Sequence, residues 1–293
     1  MINVENLSFS YPGAHTKTLE NLSFNIQRGE VFGLLGPSGC GKSTTQKILM
    51  GLLRGFTGTV EVFDAPIQNV SRAFYQCIGV SFELPALYLR LTAKENLEVF
   101  AALYAGPTRP PLEVLSLVDL AEAADQRVEN FSKGMKMRLN LCRALLHDPE
   151  LLFLDEPTTG QDPARAHITQ DLISRLKSEG KTIFLTTHNM VEADKLCDRV
   201  GFLFNGNIPV TGTPEALKHA YGRSEVQVRT STNGKVFEHL FPLDGLGENA
   251  RFLKELKREN ILSIHTLEAS LDQVFIEATK PENPDEIQQE APE

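Results

Sequence analysis

The chain has 293 residues and a formal net charge of −9 at pH 7, and its length allows one large domain or two smaller ones. Apolar residues make up 41% and charged residues 23%, which excludes a disordered or fibrous protein. No stretch is long and apolar enough to span a membrane, and the first residues do not resemble a secretion signal. These two observations predict a protein that stays in the cytoplasm. The acidic balance disfavours a general nucleic-acid-binding surface, so we expect no nucleic-acid partner.

Three short apolar runs are followed directly by polar residues. Unbroken runs of this length, separated by helical patterns, predict buried strands of a parallel sheet. Ligands of open α/β sheets gather beyond the carboxyl ends of the strands, so we expect the three polar segments to meet at one edge. The runs are residues 30–35 before a glycine-rich segment, residues 151–154 before Asp155 and Glu156, and residues 182–185 before Thr186, Thr187 and His188.

The glycine-rich segment matches G-x-x-x-x-G-K-[ST] and is followed by a predicted helix over residues 44–53. Its glycines let backbone N–H groups approach phosphate oxygens, and the helix adds its positive N-terminal end. Lys42 supplies a cation for the β- and γ-phosphates, and the Ser43 hydroxyl suits Mg²⁺. The alternative, a glycine-rich turn with an incidental lysine, is disfavoured by the strand and the helix on either side. The predicted nucleotide-binding residues are Gly36, Pro37, Ser38, Gly39, Cys40, Gly41, Lys42, Ser43 and Thr44.

Two adjacent carboxylates follow the second apolar run. Asp155, at the end of its strand, is placed to hold Mg²⁺ through water, and Glu156 is placed to orient or deprotonate an attacking water. On a solvated turn such a pair would be an ordinary surface feature. After a buried strand, in a chain with a phosphate loop, we interpret Asp155 as a metal ligand and Glu156 as the catalytic base.

The pattern between about residues 80 and 149 is helical. Thr92 and Glu95 fit a capping box, and a second helix is expected to begin near Ser132. We therefore expect a helical subdomain inserted into the α/β core.

The pattern changes again towards the end of the chain. Beyond residues 1–213, the pattern alternates at residues 225–229, is helical at residues 252–256, and gives a strand followed by an amphipathic helix over residues 261–280. These segments predict a small α/β accessory domain over residues 214–280. Residues 281–293 are acidic, contain proline and lack periodicity, so we expect a disordered tail.

These motifs, in this order, make residues 1–213 resemble the ATP-binding subunits of ABC transporters. That family carries a second phosphate-binding motif, LSGGQ, between the phosphate loop and the acidic strand. Here Phe131 to Met135 occupies that place and keeps only Ser132 and Gly134. The substituted form is similar to that of subunits that pair with ABC-2 type drug and lipid exporters. From the residues alone, Ser132 at a helix N-terminus with lysines nearby forms either a second anion site or an ordinary capped helix.

The resemblance implies a P-loop NTPase core of the ABC ATPase type, with the inserted helical subdomain and the small C-terminal α/β appendage. It also implies a head-to-tail dimer, of two identical chains or with a related ATPase subunit. In such a dimer Ser132 and Gly134 of one copy close over the ATP that Lys42 of the other copy holds.

Three further positions match the family by their place in the sequence. Tyr11 resembles the aromatic residue that stacks on adenine, although a tyrosine in a turn is more often a packing residue. Asp162 resembles the loop residue at the dimer interface. His188 resembles the switch histidine that contacts the γ-phosphate and takes part in catalysis.

Glu83 stands where the family has a glutamine that meets both the metal and the transport partner. A carboxylate can still ligate Mg²⁺, but it adds negative charge beside a triphosphate. The resemblance therefore makes Glu83 a candidate nucleotide and metal contact and leaves its coupling role open.

As a whole, the resemblance implies a subunit that hydrolyses ATP with Mg²⁺ and drives a separate integral membrane permease from the inner face of the cell membrane. The motif at residues 131–135 and the segment Leu271 to Phe275, which resembles the tail of multidrug-export subunits, favour export of drug-like or lipid-like molecules. The alternative is a soluble ABC-type ATPase in translation or DNA maintenance. A single cassette, the lack of heptads and the acidic balance disfavour it.

Overall fold

The chain forms two compact units, Met1–Gly212 and Thr213–Glu293. The tail predicted for residues 281–293 lies outside the described residues. Among the residues that are described, none of the helices combines the length and the apolar composition needed to cross a membrane. This computed structural model describes residues 1–221, 225–232, 235–257, 260–267 and 269–280.

The first unit contains two β-sheets. Its strands are β1 (Ile2–Phe9), β2 (Leu19–Ile26), β3 (Val31–Leu35), β4 (Thr57–Val62), β5 (Ala65–Pro66), β6 (Ile78–Ser81), β7 (Leu151–Asp155), β8 (Thr182–Thr187), β9 (Arg199–Phe202) and β10 (Thr211–Gly212). The smaller sheet is antiparallel, with the order β2-β1-β4-β5. The larger has the order β10-β9-β3-β8-β7-β6, and β10 at its edge is its one antiparallel strand.

The helices of the first unit lie between these strands. They are α1 (Lys42–Leu49), α2 (Arg72–Cys77), α3 (Ala93–Ala101), α4 (Pro111–Ser116), α5 (Lys133–Leu145), α6 (Pro163–Ser178) and α7 (Met190–Leu196).

The three strands predicted from apolar runs are confirmed as β3, β7 and β8. Every residue in them is buried, and they run parallel with β8 in the middle. Leu35 pairs with Thr187, and Asp155 pairs with Thr186. The carboxyl ends of all three strands therefore reach the same edge of the sheet.

An aromatic layer joins the two sheets. Phe24 of β2 stacks on Phe32 of β3 with ring centroids 5.4 Å apart, and Phe32 stacks on Phe184 of β8 at 6.3 Å. All three rings are buried, and burying a phenylalanine side chain contributes about 1.5–3 kcal/mol. This layer packs the central strands, which carry the site at their ends, against a second sheet.

The helix after the phosphate loop differs from its predicted bounds. It begins at Lys42 and ends at Leu49, whereas the pattern predicted residues 44–53. Gly51 has a φ of 71°, a left-handed conformation that ends a helix. Leu52 therefore lies beyond the helix, with 54% of its surface exposed.

Helices replace strands between β6 and β7. The capping box at the start of α3 is confirmed, since Thr92 and Glu95 bond each other's backbone N–H groups. Ser132 is the N-cap of α5, as predicted. A Cβ added to Gly79 of β6 would lie 2.2 Å from the carbonyl oxygen of Ala144 in α5, so this helix packs directly on the edge strand.

The second unit is a small α/β structure. Its elements are α8 (Pro214–Tyr221), β11 (Glu225–Thr232), β12 (Lys235–Pro242), α9 (Ala250–Leu256), β13 (Ile261–Leu267) and α10 (Leu271–Ala278). The strands form an antiparallel sheet in the order β12-β11-β13. Phe252 of α9 packs edge-on against Phe241 of β12, with ring centroids 5.4 Å apart. The predicted strand near residue 225, the helix near residue 252 and the final strand and helix are all confirmed.

Candidate functional site

The phosphate loop leaves β3 and enters α1 directly. Gly36 and Gly41 have φ angles of 155° and 114°, which residues with a side chain rarely adopt. A Cβ on Gly36 would also lie 2.2 Å from the carbonyl oxygen of Leu203. The backbone path of the loop therefore requires glycine at these two positions.

The side chain of Lys42 is buried and lies against the phosphate loop. Its Nζ donates hydrogen bonds to the carbonyl oxygens of Gly36, at 2.7 Å, and of Pro37, at 3.0 Å. These contacts hold a positive charge above the carboxyl end of β3. Phosphate oxygens bind an ammonium group more strongly than neutral carbonyls do, so a phosphate can replace these partners.

A cleft of about 850 Å³ lies beside the loop, a size within the range of about 300–1,000 Å³ that small-molecule sites occupy. Residues 37–40 and 204–206 form parts of its wall. Cys40 lines it, and burial raises the pKa of this thiol, so Cys40 adds no charge at neutral pH. The half-exposed Tyr11 has its hydroxyl 3.2 Å from Thr44 Oγ1, which places the ring next to the phosphate loop.

Ser43 and Asp155 form the candidate metal pair. Ser43 Oγ lies 3.5 Å from Asp155 Oδ2, while Asp155 Oδ1 accepts a hydrogen bond of 2.5 Å from Thr186. Burial raises the pKa of Asp155, and the Thr186 hydroxyl opposes that effect. Within the described residues no cluster of three His, Cys, Asp or Glu side chains could hold a metal. Mg²⁺ does not need one, because it takes one or two protein ligands together with phosphate oxygens and water, and this hydroxyl and carboxylate suit it.

Four polar contacts hold the carboxylate of Glu156, just beyond the end of β7. Its Oε1 accepts from the backbone N–H of His188 at 3.0 Å and lies 2.7 Å from His188 Nδ1. Its Oε2 accepts from the hydroxyls of Thr187, at 3.1 Å, and Thr159, at 3.3 Å. The φ of Glu156 is 49°, a strained value for a glutamate that these contacts hold in place.

The sequence does not assign Thr159 or Thr187 to the site. Thr187 is one of the polar residues that follow an apolar run, but its sequence position does not show that it contacts Glu156. The imidazole of His188 is mostly exposed while the carboxylate of Glu156 is buried, so the histidine covers the catalytic candidate from the solvent side.

A second cluster forms at the start of α5 and α6. Ser132 caps α5 by accepting from the N–H of Met135 at 3.2 Å, and Asp162 caps α6 by accepting from the N–H of Arg165 at 3.1 Å. A Cβ added to Gly134 would lie 3.2 Å from the carbonyl oxygen of Gly160, so the start of α5 packs closely against the loop that leads into α6. Within the described residues no hydrogen bond links this cluster to the phosphate loop.

Glu83 lies beyond the end of β6 and is exposed. The described structure gives it no hydrogen bond to Ser43 or Asp155, so its predicted role as a metal contact stays a prediction. Gln76 is a glutamine near Glu83 in the sequence, but it is in α2, before β6, where its Oε1 accepts from the N–H of Ala105 at 3.2 Å. It therefore does not occupy the position at which the family has a glutamine.

Comparisons with known proteins agree with this geometry. Residues 19–159 match the family model described as ABC transporter, and residues 225–268 match the model of a fluoroquinolone efflux ABC transporter C-terminal domain. A fluoroquinolones export ATP-binding protein of Mycobacterium tuberculosis is 49% identical over 95% of this chain and 93% of its own length. A Nod factor export ATP-binding protein I of Bradyrhizobium diazoefficiens is 40% identical over 74% of each chain.

Solved structures show the same fold. The structure of an ATP-binding subunit of an ABC transporter has a TM-score of 0.70 and 27% identity, over 96% of this chain and all of that one. A dimeric ATP-binding cassette bound to ADP and Pi has a TM-score of 0.65 and 25% identity, over 73% of this chain and 98% of that one. Fold and site together define an ATPase of the ATP-binding cassette type. The chain belongs to the family of ABC transporter ATP-binding proteins.

The position of Lys42 predicts the effect of removing its charge. Lys42→Met should weaken ATP binding by roughly 10- to 100-fold, the effect of losing a hydrogen bond to a charged group. Lys47→Met removes an exposed lysine one turn further along α1 and should leave the Kd unchanged. Titration with a fluorescent ATP analogue measures both. Equal Kd values for the two variants would contradict the assignment of Lys42.

Proposed function

We propose that this ATPase powers export through a separate integral membrane permease, which it binds from the cytoplasmic face of the membrane. The main support is that similarity to the mycobacterial fluoroquinolones export protein continues through the second unit, including the match at residues 225–268. A soluble role in translation or DNA maintenance is not favoured, because the two relatives described above are export ATP-binding proteins.

We propose Glu156 as the base that accepts a proton from the attacking water. One oxygen of its carboxylate accepts from the hydroxyls of Thr187 and Thr159, and the other accepts from the His188 N–H, so these contacts fix its orientation. Lys42 is placed to stabilise negative charge that develops on the transferred phosphoryl group. His188 reaches towards the solvent side, where a γ-phosphate would lie. Mg²⁺ at Ser43 and Asp155 would neutralise charge on the phosphate oxygens.

The second cluster supports a head-to-tail dimer. Ser132 and Gly134 lie at the start of α5, where unpaired backbone N–H groups attract an anion. We propose that they cover the ATP held by Lys42 of a second copy, with Asp162 at the contact between the chains. Two identical chains suffice, since each brings both clusters.

A groove between α2, β6, α3 and α5 is the proposed permease contact. It has a volume of about 360 Å³ and is lined by Tyr75, Phe100, Leu103 and Arg143 among others. Leu103 is 61% exposed, and Leu84, next to Glu83, is 80% exposed. Large apolar side chains grouped at a groove are typical of a protein interface.

Glu156→Gln tests the catalytic assignment. Removing a general base should lower the ATPase rate by about 10²- to 10⁴-fold, whereas ATP binding persists because Lys42 is untouched. Light scattering in Mg-ATP should then show a dimer that the unaltered protein forms only transiently. Glu150→Gln, an exposed control at the start of β7, should hydrolyse ATP normally. Wild-type turnover in Glu156→Gln would remove the base from this mechanism.

Leu103→Asp tests the permease contact. A charge in the groove should reduce stimulation of the ATPase by the permease in membrane vesicles, with the basal rate of the free subunit maintained. Leu240→Asp changes a leucine of similar exposure, 53%, in the second unit and serves as the matched control. If both variants respond to the permease like the unaltered chain, the docking surface lies elsewhere.

Cells that express the chain with its permease test the direction and class of transport. We expect lower accumulation of a fluorescent fluoroquinolone than in cells that carry the permease with the Glu156→Gln subunit. Equal accumulation would overturn the drug-like substrate class and leave the ATPase assignment intact. Adding an amphipathic lipid analogue to the same assay distinguishes lipid export from drug export.

A further inference from the structure

Besides Asp155 and Glu156, a third buried carboxyl group lies near the site, and the proposed mechanism does not use it. Glu192 is in the first turn of α7 and is 2% exposed. A glutamate at this position of a helix commonly turns back to the N–H of the N-cap residue. Here the N-cap Asn189 gives its N–H to Thr187 Oγ1 at 3.0 Å, and Glu192 turns inward to the same Thr187 oxygen.

Thr187 Oγ1 therefore has three polar neighbours. It lies 3.1 Å from Glu156 Oε2 and 3.3 Å from Glu192 Oε2, and it accepts from the Asn189 N–H. A hydroxyl group has one hydrogen and two lone pairs. If that hydrogen goes to Glu156, the contact with Glu192 is a hydrogen bond only when the Glu192 carboxyl carries a proton. If both carboxyls were ionised, Thr187 could donate its one hydrogen to only one of them. The other carboxylate would then face the hydroxyl oxygen with no hydrogen between them, in the buried interior.

The surroundings of Glu192 also favour the neutral acid. Burial is the main cause that raises its pKa, and the charge of Glu156 raises it further. The hydroxyls of Thr158 and Thr187 and the charge of His188 oppose this only in part. Although Thr158 is near, Glu192 Oε1 makes no hydrogen bond of normal geometry among the described residues, and an ionised oxygen would need one.

We propose that Glu192 is a neutral carboxylic acid that donates a hydrogen bond to Thr187 and thereby positions the catalytic base. With both Thr187 lone pairs filled, by the Asn189 N–H and the Glu192 O–H, its hydrogen points to Glu156 Oε2. Glu192 is a positioning residue, since it reaches the reaction only through Thr187. The inference rests on the proposed role of Glu156 as the base.

Infrared spectroscopy of the full chain at neutral pH tests the protonation state. The difference spectrum between the unaltered protein and Glu192→Gln should contain the C=O band of a protonated carboxylic acid, shifted in D₂O. Glu122→Gln, which removes an exposed glutamate, should show only the loss of carboxylate bands. If Glu192→Gln also shows only that loss, Glu192 is ionised and the proposal fails.

Kinetics test the positioning role. Glu192→Gln keeps a neutral donor and should retain most of kcat, whereas Glu192→Met has a similar size without a donor and should lower kcat roughly tenfold, the effect of one hydrogen bond. The KM for ATP should stay unchanged, because the phosphate loop is untouched. Thr187→Val should lower kcat similarly, and the double variant should lose little more than either single variant.

Two results would overturn the positioning role: a Glu192→Gln variant as slow as Glu192→Met, or fully additive losses in the double variant. These outcomes differ from failure of the proposed function. Normal hydrolysis by Glu156→Gln would remove the base itself, whereas the infrared band reports on Glu192 whatever Glu156 does. If Glu192→Met does not fold, the infrared comparison with Glu192→Gln still decides the protonation state.

Discussion

The pairing of β7 with β8 is the constraint on which the catalytic site depends. Asp155 lies opposite Thr186 in this parallel pair, so the threonine hydroxyl reaches the carboxylate at 2.5 Å. Successive residues of a strand point to opposite faces. The next residue on each chain, Glu156 and Thr187, therefore forms a second pair beside the first. A slip of one residue would separate both carboxylates from their hydroxyls, and the buried apolar residues of the two strands prevent that slip.

The same arrangement concentrates negative charge. Asp155 and Glu156 are neighbours in sequence and both are buried, in a chain that is already acidic. A triphosphate adds several more charges, and repulsion between them grows as the site loses water. Lys42 and the Mg²⁺ proposed at Ser43 and Asp155 would offset this negative charge. A neutral Glu192 fits this balance, because a third ionised carboxyl would raise the cost of bringing ATP to Glu156.

The sequence predicts β3, β7 and β8, and the place of the glycine-rich loop and of Asp155 and Glu156 at their ends, well, because each apolar run is followed directly by polar or glycine-rich residues. It predicts helix ends less well, as Leu52 shows, since one glycine with a positive φ ended the helix early. It could not predict the Thr187 contacts. Spacing places Glu192 in the first turn of a helix, but only the packed structure shows that its side chain turns inward to a hydroxyl on the neighbouring strand. Likewise, the motif at Ser132 predicts a capped helix start, but it does not show what this helix start faces.

One short loop connects the two clusters within the chain. It runs from Glu156 to Asp162, and Thr159 in its middle donates to the Glu156 carboxylate. Gln161 ties the loop to itself by donating to the Pro157 carbonyl at 2.8 Å, and Gly160 contacts the start of α5 beside Gly134. In the proposed dimer, a second copy would contact Ser132 and Asp162 and could shift this loop. The position of Glu156 would then depend on whether ATP is bound between Ser132 and the second copy. Such a dependence would couple the two ATP sites without a larger rearrangement of the sheet.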